Sequence, residues 1–218
     1  MPGEVLAIRK EIHTFFSGKD AAGRKLGSRI GVYAFYDFDG EPIYIGQTRE
    51  SFSARIGRHL TNRRTDAVAM NVLDPFEVAE IAVWPLPPEV ASLPKEELGD
   101  YLNKAEYTLY RHVLEHSTLG AVLNEKIPAT TELIELPTSY RQTIIPESLR
   151  PVRNHPDIRL ARRASTIAAL ARVISERNVS DGLRITLLTQ AQRLEHLAQK
   201  RINELGITPE VHTGDEEG

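Results

Sequence analysis

The apolar positions of this chain recur at two spacings, and each spacing predicts one kind of element. A recurrence every three to four residues is typical of an α-helix with one buried face. The helices predicted in this way are Glu4–Phe16, a helix after Ser51 with Phe52, Ile56 and Leu60 on its apolar face, a helical turn at Asp66–Val72, and the long helix Pro94–His116.

Short runs rich in β-branched and aromatic residues predict strands at Ile30–Phe38 and Pro42–Gly46. The Asp39-Gly40 pair between these runs is a strong hairpin signal. A third run, Phe76–Trp84, alternates as a strand does and ends at a cluster of prolines. We therefore expect an α+β fold in which a small, three-stranded, mainly antiparallel sheet is flanked by helices.

The C-terminal part of the chain has a different pattern. Helical apolar stripes begin at Leu160 and at Leu183, and the segment Asn178–Gly182 between them has the residues of a helix break and a helix cap. This pattern predicts an appended α-helical hairpin. The expected organisation is an N-terminal helix and loop (1–27), a core module (28–127), an irregular linker (128–156), the helical hairpin (157–205) and a flexible acidic tail (206–218).

The composition excludes several classes of site. The 218 residues include no cysteine, which rules out disulfides, thiolate zinc sites and a cysteine nucleophile. No apolar run reaches the roughly 20 residues that span a bilayer, and Met1–Lys10 lacks the pattern of a secretory signal. We expect a cytoplasmic protein without a membrane partner.

The formal net charge of −3 would by itself argue against nucleic-acid binding. The charge is distributed unevenly, however, with −5 over residues 1–137, +6 over residues 138–205 and −4 over residues 206–218. Local basic surfaces are therefore compatible with an acidic whole.

Residues whose side chains could take part in catalysis follow one another along the core module. Two of them, Arg55 and His59, are four residues apart on one helix and so share a face. In chain order the candidates are Gly31-Val32-Tyr33, Tyr44-Ile45-Gly46, Arg55, His59, Glu106 and Asn124.

These residue types suit phosphodiester hydrolysis, which needs an activated water and stabilisation of the charge on the phosphate. A single carboxylate such as Glu106 can hold one Mg²⁺ or Mn²⁺ that keeps most of its waters. Arg55 can grip phosphate oxygens in a fork. A tyrosine can act as a base only if nearby cations lower its pKa, and Arg55, His59 and the metal are the candidates for that effect.

The ordered set resembles the GIY-YIG nuclease superfamily, whose two short strands bear Gly-Ile-Tyr and Tyr-Ile-Gly and are followed by an Arg, a Glu and an Asn. The resemblance covers about Ser28–Lys126, with Val32 in place of Ile. Phe15-Phe16-Ser17-Gly18, followed by Gly31-Val32-Tyr33-Ala34, is also similar to restriction endonucleases of this superfamily.

The resemblance implies roles in catalysis for the two motif tyrosines and for Arg55 and His59 on the helix that follows them. Tyr33 would orient or deprotonate the attacking water, and Tyr44 would support the site and contact phosphate. Arg55 would hold the scissile phosphate. His59 would assist proton transfer or polarise Tyr33.

The resemblance also implies roles for the remaining landmarks. Glu106 would bind the metal, and Asn124 would brace the site by hydrogen bonds to backbone. Gly31 and Gly46 would allow backbone and substrate to approach closely.

Arginines beside these residues are candidates for DNA contacts. Arg49, Arg58, Arg63 and Arg64 cluster around the helix that carries Arg55. On the hairpin, Arg162 and Arg163 suit DNA backbone binding, but such arginines equally suit docking against the acidic module or dimerisation.

We predict a metal-dependent DNA endonuclease that acts on double-stranded DNA, with restriction or defence as one role it would suit and a homodimer as one route to cutting both strands. The alternatives are a non-catalytic nucleic-acid-binding or interaction protein on the same scaffold, and a nuclease that acts on RNA or branched DNA.

Overall fold

The computed structural model describes residues 2–61, 73–124 and 126–208. The predicted turn at Asp66–Val72 and most of the predicted acidic tail lie outside the described residues. The helices are α1 (Pro2–Ser17), α2 (Phe52–Thr61), α3 (Pro88–Ala91), α4 (Lys95–His116), α5 (Arg150–Arg153), α6 (Pro156–Glu176) and α7 (Asp181–Glu204). The strands are β1 (Gly31–Tyr36), β2 (Pro42–Thr48), β3 (Glu80–Pro85) and β4 (Tyr140–Thr143).

The sheet is antiparallel throughout and has the order β2-β1-β3-β4. The expected α+β fold with an antiparallel sheet is confirmed, but the sheet has four strands and not three. The additional strand, β4, lies in the segment predicted to be an irregular linker. Its sequence, Tyr-Arg-Gln-Thr, has no apolar alternation, so only its pairing with β3 makes it a strand.

The third strand begins later than predicted because a short 3₁₀ turn, Pro75–Glu77, precedes it. The Asp74 carboxylate caps this turn by accepting a hydrogen bond of 2.9 Å from the Phe76 amide. Strand pairing then starts at Glu80, which lies opposite Tyr36 on β1.

Both faces of the sheet are covered because apolar side chains alternate to the two sides of β1 and β3. Val32 and Ala34 face α4 and pack with its apolar stripe of Leu102, Ala105 and Leu109. On the other face, Tyr33, Phe35, Ile43, Ile81 and Val83 form one core with Phe15 of α1, Ile56 of α2, Leu170 of α6 and Leu183 of α7.

The predicted helical hairpin is present as α6 and α7, and it packs directly on the sheet. Leu170 and Leu183 belong to the same core as Ile43 of β2. The hairpin is therefore part of the wall that covers one face of the sheet. Among the described helices, none is long and apolar enough to cross a membrane.

Candidate active site

The site is built around Gly46, where β1 and β2 pair. Tyr33 lies directly opposite Gly46, and the Tyr33 ring lies across the position that a side chain would occupy there. A Cβ atom on Gly46 would lie 2.5 Å from the Tyr33 Oη and 2.6 Å from its Cζ. Gly46 is thus required by the ring of the opposite tyrosine.

Gly31 also permits a close approach, in this case by backbone. A Cβ atom on Gly31 would overlap the Trp84 carbonyl oxygen on β3. The groups that approach these two glycines are the Trp84 carbonyl at Gly31 and the Tyr33 ring at Gly46. Packing within the protein is therefore a reason for glycine at both positions, beside the expected approach of substrate.

Helix α2 places Arg55 against Tyr33. The Ser51 Oγ caps the start of the helix by accepting a hydrogen bond of 3.3 Å from the Ala54 amide. Phe52 and Ile56 are fully buried in the core. This leaves Arg55 at the margin of the core, where its Nε donates to the Tyr33 Oη at 3.4 Å.

The protein groups around Tyr33 do not lower the pKa of its hydroxyl, contrary to the expectation for nearby cations. Tyr33 is fully buried, and burial raises the pKa of its hydroxyl because the phenolate loses solvation. The nearby charge of Arg55 opposes this shift but is the weaker influence. Tyr33 is therefore a neutral hydroxyl at pH 7.

His59 is buried among the rings of Tyr33, Tyr44 and Phe35. Its ring centroid lies 5.4 Å from that of Tyr44 and 6.2 Å from that of Tyr33. Only 2% of its surface is exposed, and neither ring nitrogen has a hydrogen-bond partner among the described residues. Burial, together with the charge of Arg55, lowers the pKa of His59 to about 4. His59 is therefore neutral at pH 7 and adds no positive charge to lower the pKa of Tyr33.

Glu106 reaches the same region from α4 on the other face of the sheet. Its Oε2 accepts a hydrogen bond of 2.9 Å from the side-chain amide of Gln47, the residue after Gly46. The same amide nitrogen donates to the Asn103 Oδ1 at 2.8 Å. Burial raises the pKa of the Glu106 carboxyl, while the Gln47 hydrogen bond and the charge of Lys126 oppose that shift.

Gln47 was missed by the sequence analysis. The available signal was its position directly after Tyr44-Ile45-Gly46, on the strand that carries the site. Its contact with Glu106 spans 59 residues of chain, so no local pattern could reveal it.

Asn124 braces the exposed edge of β2. Its Oδ1 accepts from the Ile45 amide at 3.0 Å, and its Nδ2 donates to the Ile45 carbonyl at 2.8 Å. The Leu123 amide donates to the Ile43 carbonyl one step along the strand. The Asn124 side chain thus satisfies backbone groups that would otherwise be unpaired on an edge strand.

A family model described as the GIY-YIG catalytic domain matches residues 29–98. The chain contains a GIY-YIG domain. No curated protein and no solved structure gives a significant match to the chain. The GIY-YIG domain is of nuclease type, and its substrate class is nucleic acid.

The matched range of the GIY-YIG domain contains Tyr33, Tyr44, Arg55 and His59 but ends before Glu106 and Asn124. These two residues join the domain through contacts with Gln47 and Ile45 on the second motif strand. Glu106 and Asn124 thus pack with the matched segment although both follow it in the chain.

The arginines around α2 of the GIY-YIG domain differ in their surroundings. Arg49 is exposed, and its guanidinium lies beside Gly99 of α4. Arg58 is exposed and forms a forked ion pair with the Glu50 carboxylate. Arg63 and Arg64 lie outside the described residues.

The two hairpin arginines predicted to contact DNA instead bind carboxylates of the GIY-YIG domain and its flanks. Arg163 is 4% exposed, and its Nη2 lies 3.1 Å from Glu77 and 3.7 Å from Asp37. Arg162 donates to Glu77 at 2.7 Å. Arg163 is therefore not available to a DNA backbone, and the structure favours the docking alternative for this pair.

Two further arginines complete this ionic cluster. Arg159 contacts Asp39 at 2.7 Å, and Arg193 contacts Asp37 at 3.6 Å and donates to the Pro42 and Ala121 carbonyls. Burial lowers the pKa of Arg193 to about 10, so its guanidinium stays charged at neutral pH. The positive charge of the hairpin thus meets the acidic turn between β1 and β2.

Proposed function

We propose that the chain is a metal-dependent endonuclease that hydrolyses phosphodiester bonds in DNA. The observation that carries the proposal is the convergence of two catalytic candidates on Gly46-Gln47. The Tyr33 ring, with Arg55 bonded to it, lies across Gly46, and the Glu106 carboxylate is bonded to Gln47.

GIY-YIG nucleases generally depend on a divalent metal, and the residues present fit one ion held by few protein ligands. Among the described residues, no three His, Cys, Asp or Glu side chains are placed to share an ion. Among the described residues that the motif places here, Glu106 supplies the carboxylate; it is partly buried and within electrostatic range of Arg55. Mg²⁺ in phosphoryl-transfer sites keeps several waters and takes one or two carboxylates plus phosphate oxygens. When bound, such an ion stabilises negative charge that develops on the phosphate.

The protein's own side chains would have the following roles. Arg55 binds a non-bridging phosphate oxygen through the guanidinium edge that Tyr33 leaves free. Tyr33 carries a neutral hydroxyl and, because it is fully buried, would act on the attacking water through Arg55, whose Nε is bonded to the Tyr33 Oη at 3.4 Å. Tyr44 supports the Tyr33 ring, and the two ring centroids are 6.3 Å apart.

The remaining two site residues act at the margins of the site. Neutral His59, whose two ring nitrogens are buried, would hold the Tyr33 and Tyr44 rings in place by packing against them. Asn124 holds β2, and with it Tyr44, in register.

The proposal is tested by cleavage of supercoiled plasmid with Mg²⁺ or Mn²⁺, comparing the wild type with Glu106→Ala. Glu97→Ala, which removes an exposed carboxylate from the same helix, is the matched control. We expect nicked or linear product with the wild type and the control, and a loss of at least about a hundredfold with Glu106→Ala. Equal activity in all three proteins would reject the site.

The substrate form is resolved by the same assay with duplex DNA, branched DNA and structured RNA. Duplex cleavage supports the proposal as stated. Binding to duplex DNA without cleavage in either metal would favour the non-catalytic alternative. Because each chain carries one such site, double-strand cutting most simply requires two copies, and the mass of the protein–DNA complex in solution tests that requirement.

A further inference from the structure

Lys19 and Lys25 face each other across an isolated antiparallel bridge in the loop that follows α1. The flanking hydrogen bonds run from the Asp20 amide to the Arg24 carbonyl and from the Leu26 amide to the Gly18 carbonyl, each 2.8 Å long. In this arrangement Lys19 and Lys25 do not bond to each other through the backbone. Such a pair brings the two opposed side chains closer than a hydrogen-bonded pair does.

Both ammonium groups lack a carboxylate partner among the described residues, and both lysines are exposed. The acid within the loop, Asp20, is already engaged, since Arg24 and Arg29 lie 2.9 Å and 2.5 Å from its Oδ2. Like charges placed directly opposite each other destabilise a strand pair. A multiply accepting anion between the two ammonium groups would remove that repulsion.

The lysine pair lies next to the helix that carries Arg55. The Ser53 hydroxyl of α2 donates to the Gly27 carbonyl at 2.9 Å, and the Phe52 amide donates to the Arg29 carbonyl at 2.8 Å. The base of the loop is therefore fixed to the first turn of α2. Lys25, two residues before Gly27, and Arg55, two residues after Ser53, are therefore both attached to this contact, and an extended polyanion could reach both.

We propose that Lys19 and Lys25 form a phosphate clamp that binds the nucleic-acid backbone beyond the cleavage site. The proposal rests on the proposed function only in taking a nucleic acid as the ligand. The ammonium groups of two lysines paired across a bridge recognise phosphate charge and not base identity, so the clamp supplies affinity and register without sequence preference.

The test measures binding of the full chain to a fluorescent 30-base-pair duplex, in EDTA so that the DNA stays intact, over a range of salt concentrations. The variant is Lys19→Gln/Lys25→Gln. Loss of two phosphate contacts should lower the slope of log Kd against log salt by about 1.8 and weaken binding by about tenfold at 0.1 M salt. Its melting temperature should equal or exceed that of the wild type, because a repulsion has been removed.

The matched control is Arg177→Gln/Arg184→Gln, which removes two exposed charges near the α6–α7 turn that form no ion pair with any residue the structure describes. The control should keep the wild-type salt slope. Three outcomes would overturn the clamp: an equal slope change in both double variants, an unchanged slope in the lysine variant, or a lower melting temperature in that variant.

Because the readout is binding, cleavage does not enter the result. A wild type that binds duplex DNA but does not cut it would reject the proposed catalytic function and leave the clamp to be judged by its salt slope. A wild type that binds no duplex at low salt would reject the clamp.

Discussion

The Gln47 side-chain amide donates a hydrogen bond of 2.9 Å to the Glu106 carboxylate, joining the strand that carries the second tyrosine to the helix that carries the acid. Groups that orient a metal-binding carboxylate typically contribute 10- to 100-fold to metal affinity or activity. We therefore expect Gln47→Leu to lower metal-dependent cleavage by roughly that factor, with part of the loss recovered at high Mg²⁺. The measurement is the cleavage rate as a function of Mg²⁺ concentration.

Asn103→Ala is the control for this prediction. It removes the second acceptor of the Gln47 amide, 2.8 Å away, and leaves the bond to Glu106 in place. Its rate should stay within about threefold of the wild type, a change of less than 1 kcal/mol in the barrier. If both variants lose activity equally, Gln47 acts through the packing of α4 and not through Glu106.

Gly46→Ala tests the close packing of the two motif strands. The new Cβ would lie 2.5 Å from the Tyr33 Oη, so the ring must shift. We expect a loss of about 1–3 kcal/mol in the free energy of unfolding, as for other overpacked cores. Gly57→Ala, whose Cβ would meet nothing within 4 Å, is the control and should not be destabilised.

A double-mutant cycle that combines Gly46→Ala with Tyr33→Ala, measured by urea unfolding, tests whether the Tyr33 ring causes this loss. Without the Tyr33 ring, the cost of Gly46→Ala should largely disappear. An undiminished cost would show that the strain comes from another contact.

His59 should make the stability of the protein depend on pH in a defined window. Its folded pKa, about 4, lies below the unfolded value of about 6.5. Between these values the unfolded chain binds a proton that the folded chain does not, so stability falls as the pH falls from 6.5 towards 4 and is fully present above 6.5.

The variant His59→Gln removes this titration. Between pH 7.5 and pH 5 it should lose about 2 kcal/mol less stability than the wild type does. Urea unfolding at several pH values measures the difference. His196→Gln, which removes an exposed histidine of α7 outside the aromatic cluster, is the matched control. Parallel pH curves for all three proteins would contradict a lowered pKa for His59.

Arg163→Met separates docking from DNA contact for the hairpin arginines. Removing a buried guanidinium leaves Glu77 and Asp37 short of a partner, and breaking such a pair typically costs about 3–5 kcal/mol of unfolding free energy. Arg172→Met, on the same helix with its side chain 79% exposed, should cost less than about 1 kcal/mol. DNA affinity per folded molecule should be the same for both variants and the wild type, which binding assays at equal folded fraction would check. A stable Arg163→Met protein with weaker DNA binding would restore the original DNA-contact hypothesis.

Several of these features could be predicted from the sequence because they depend on local patterns. The Asp39-Gly40 turn, the β-branched and aromatic run of β1 and the helical stripes of α2, α4, α6 and α7 each lie within a short stretch of chain. The five landmarks of the GIY-YIG motif could likewise be found by their order. Arg163 carried a local signal that was not used: it lies three residues after Leu160 and four before Ile167, on the border of the apolar stripe of its helix.

Local sequence patterns were thus enough to predict the fold class, the order of the motif residues and the presence of a basic hairpin. The tertiary structure alone decided the fourth strand, the bond from Gln47 to Glu106, the burial that keeps Tyr33 and His59 neutral, and the inward direction of the hairpin arginines. The physical reason is that strand pairing, desolvation and buried ion pairs depend on groups that are far apart in the chain, such as Glu77 and Arg163. Such groups come into contact only when the helices pack on the sheet.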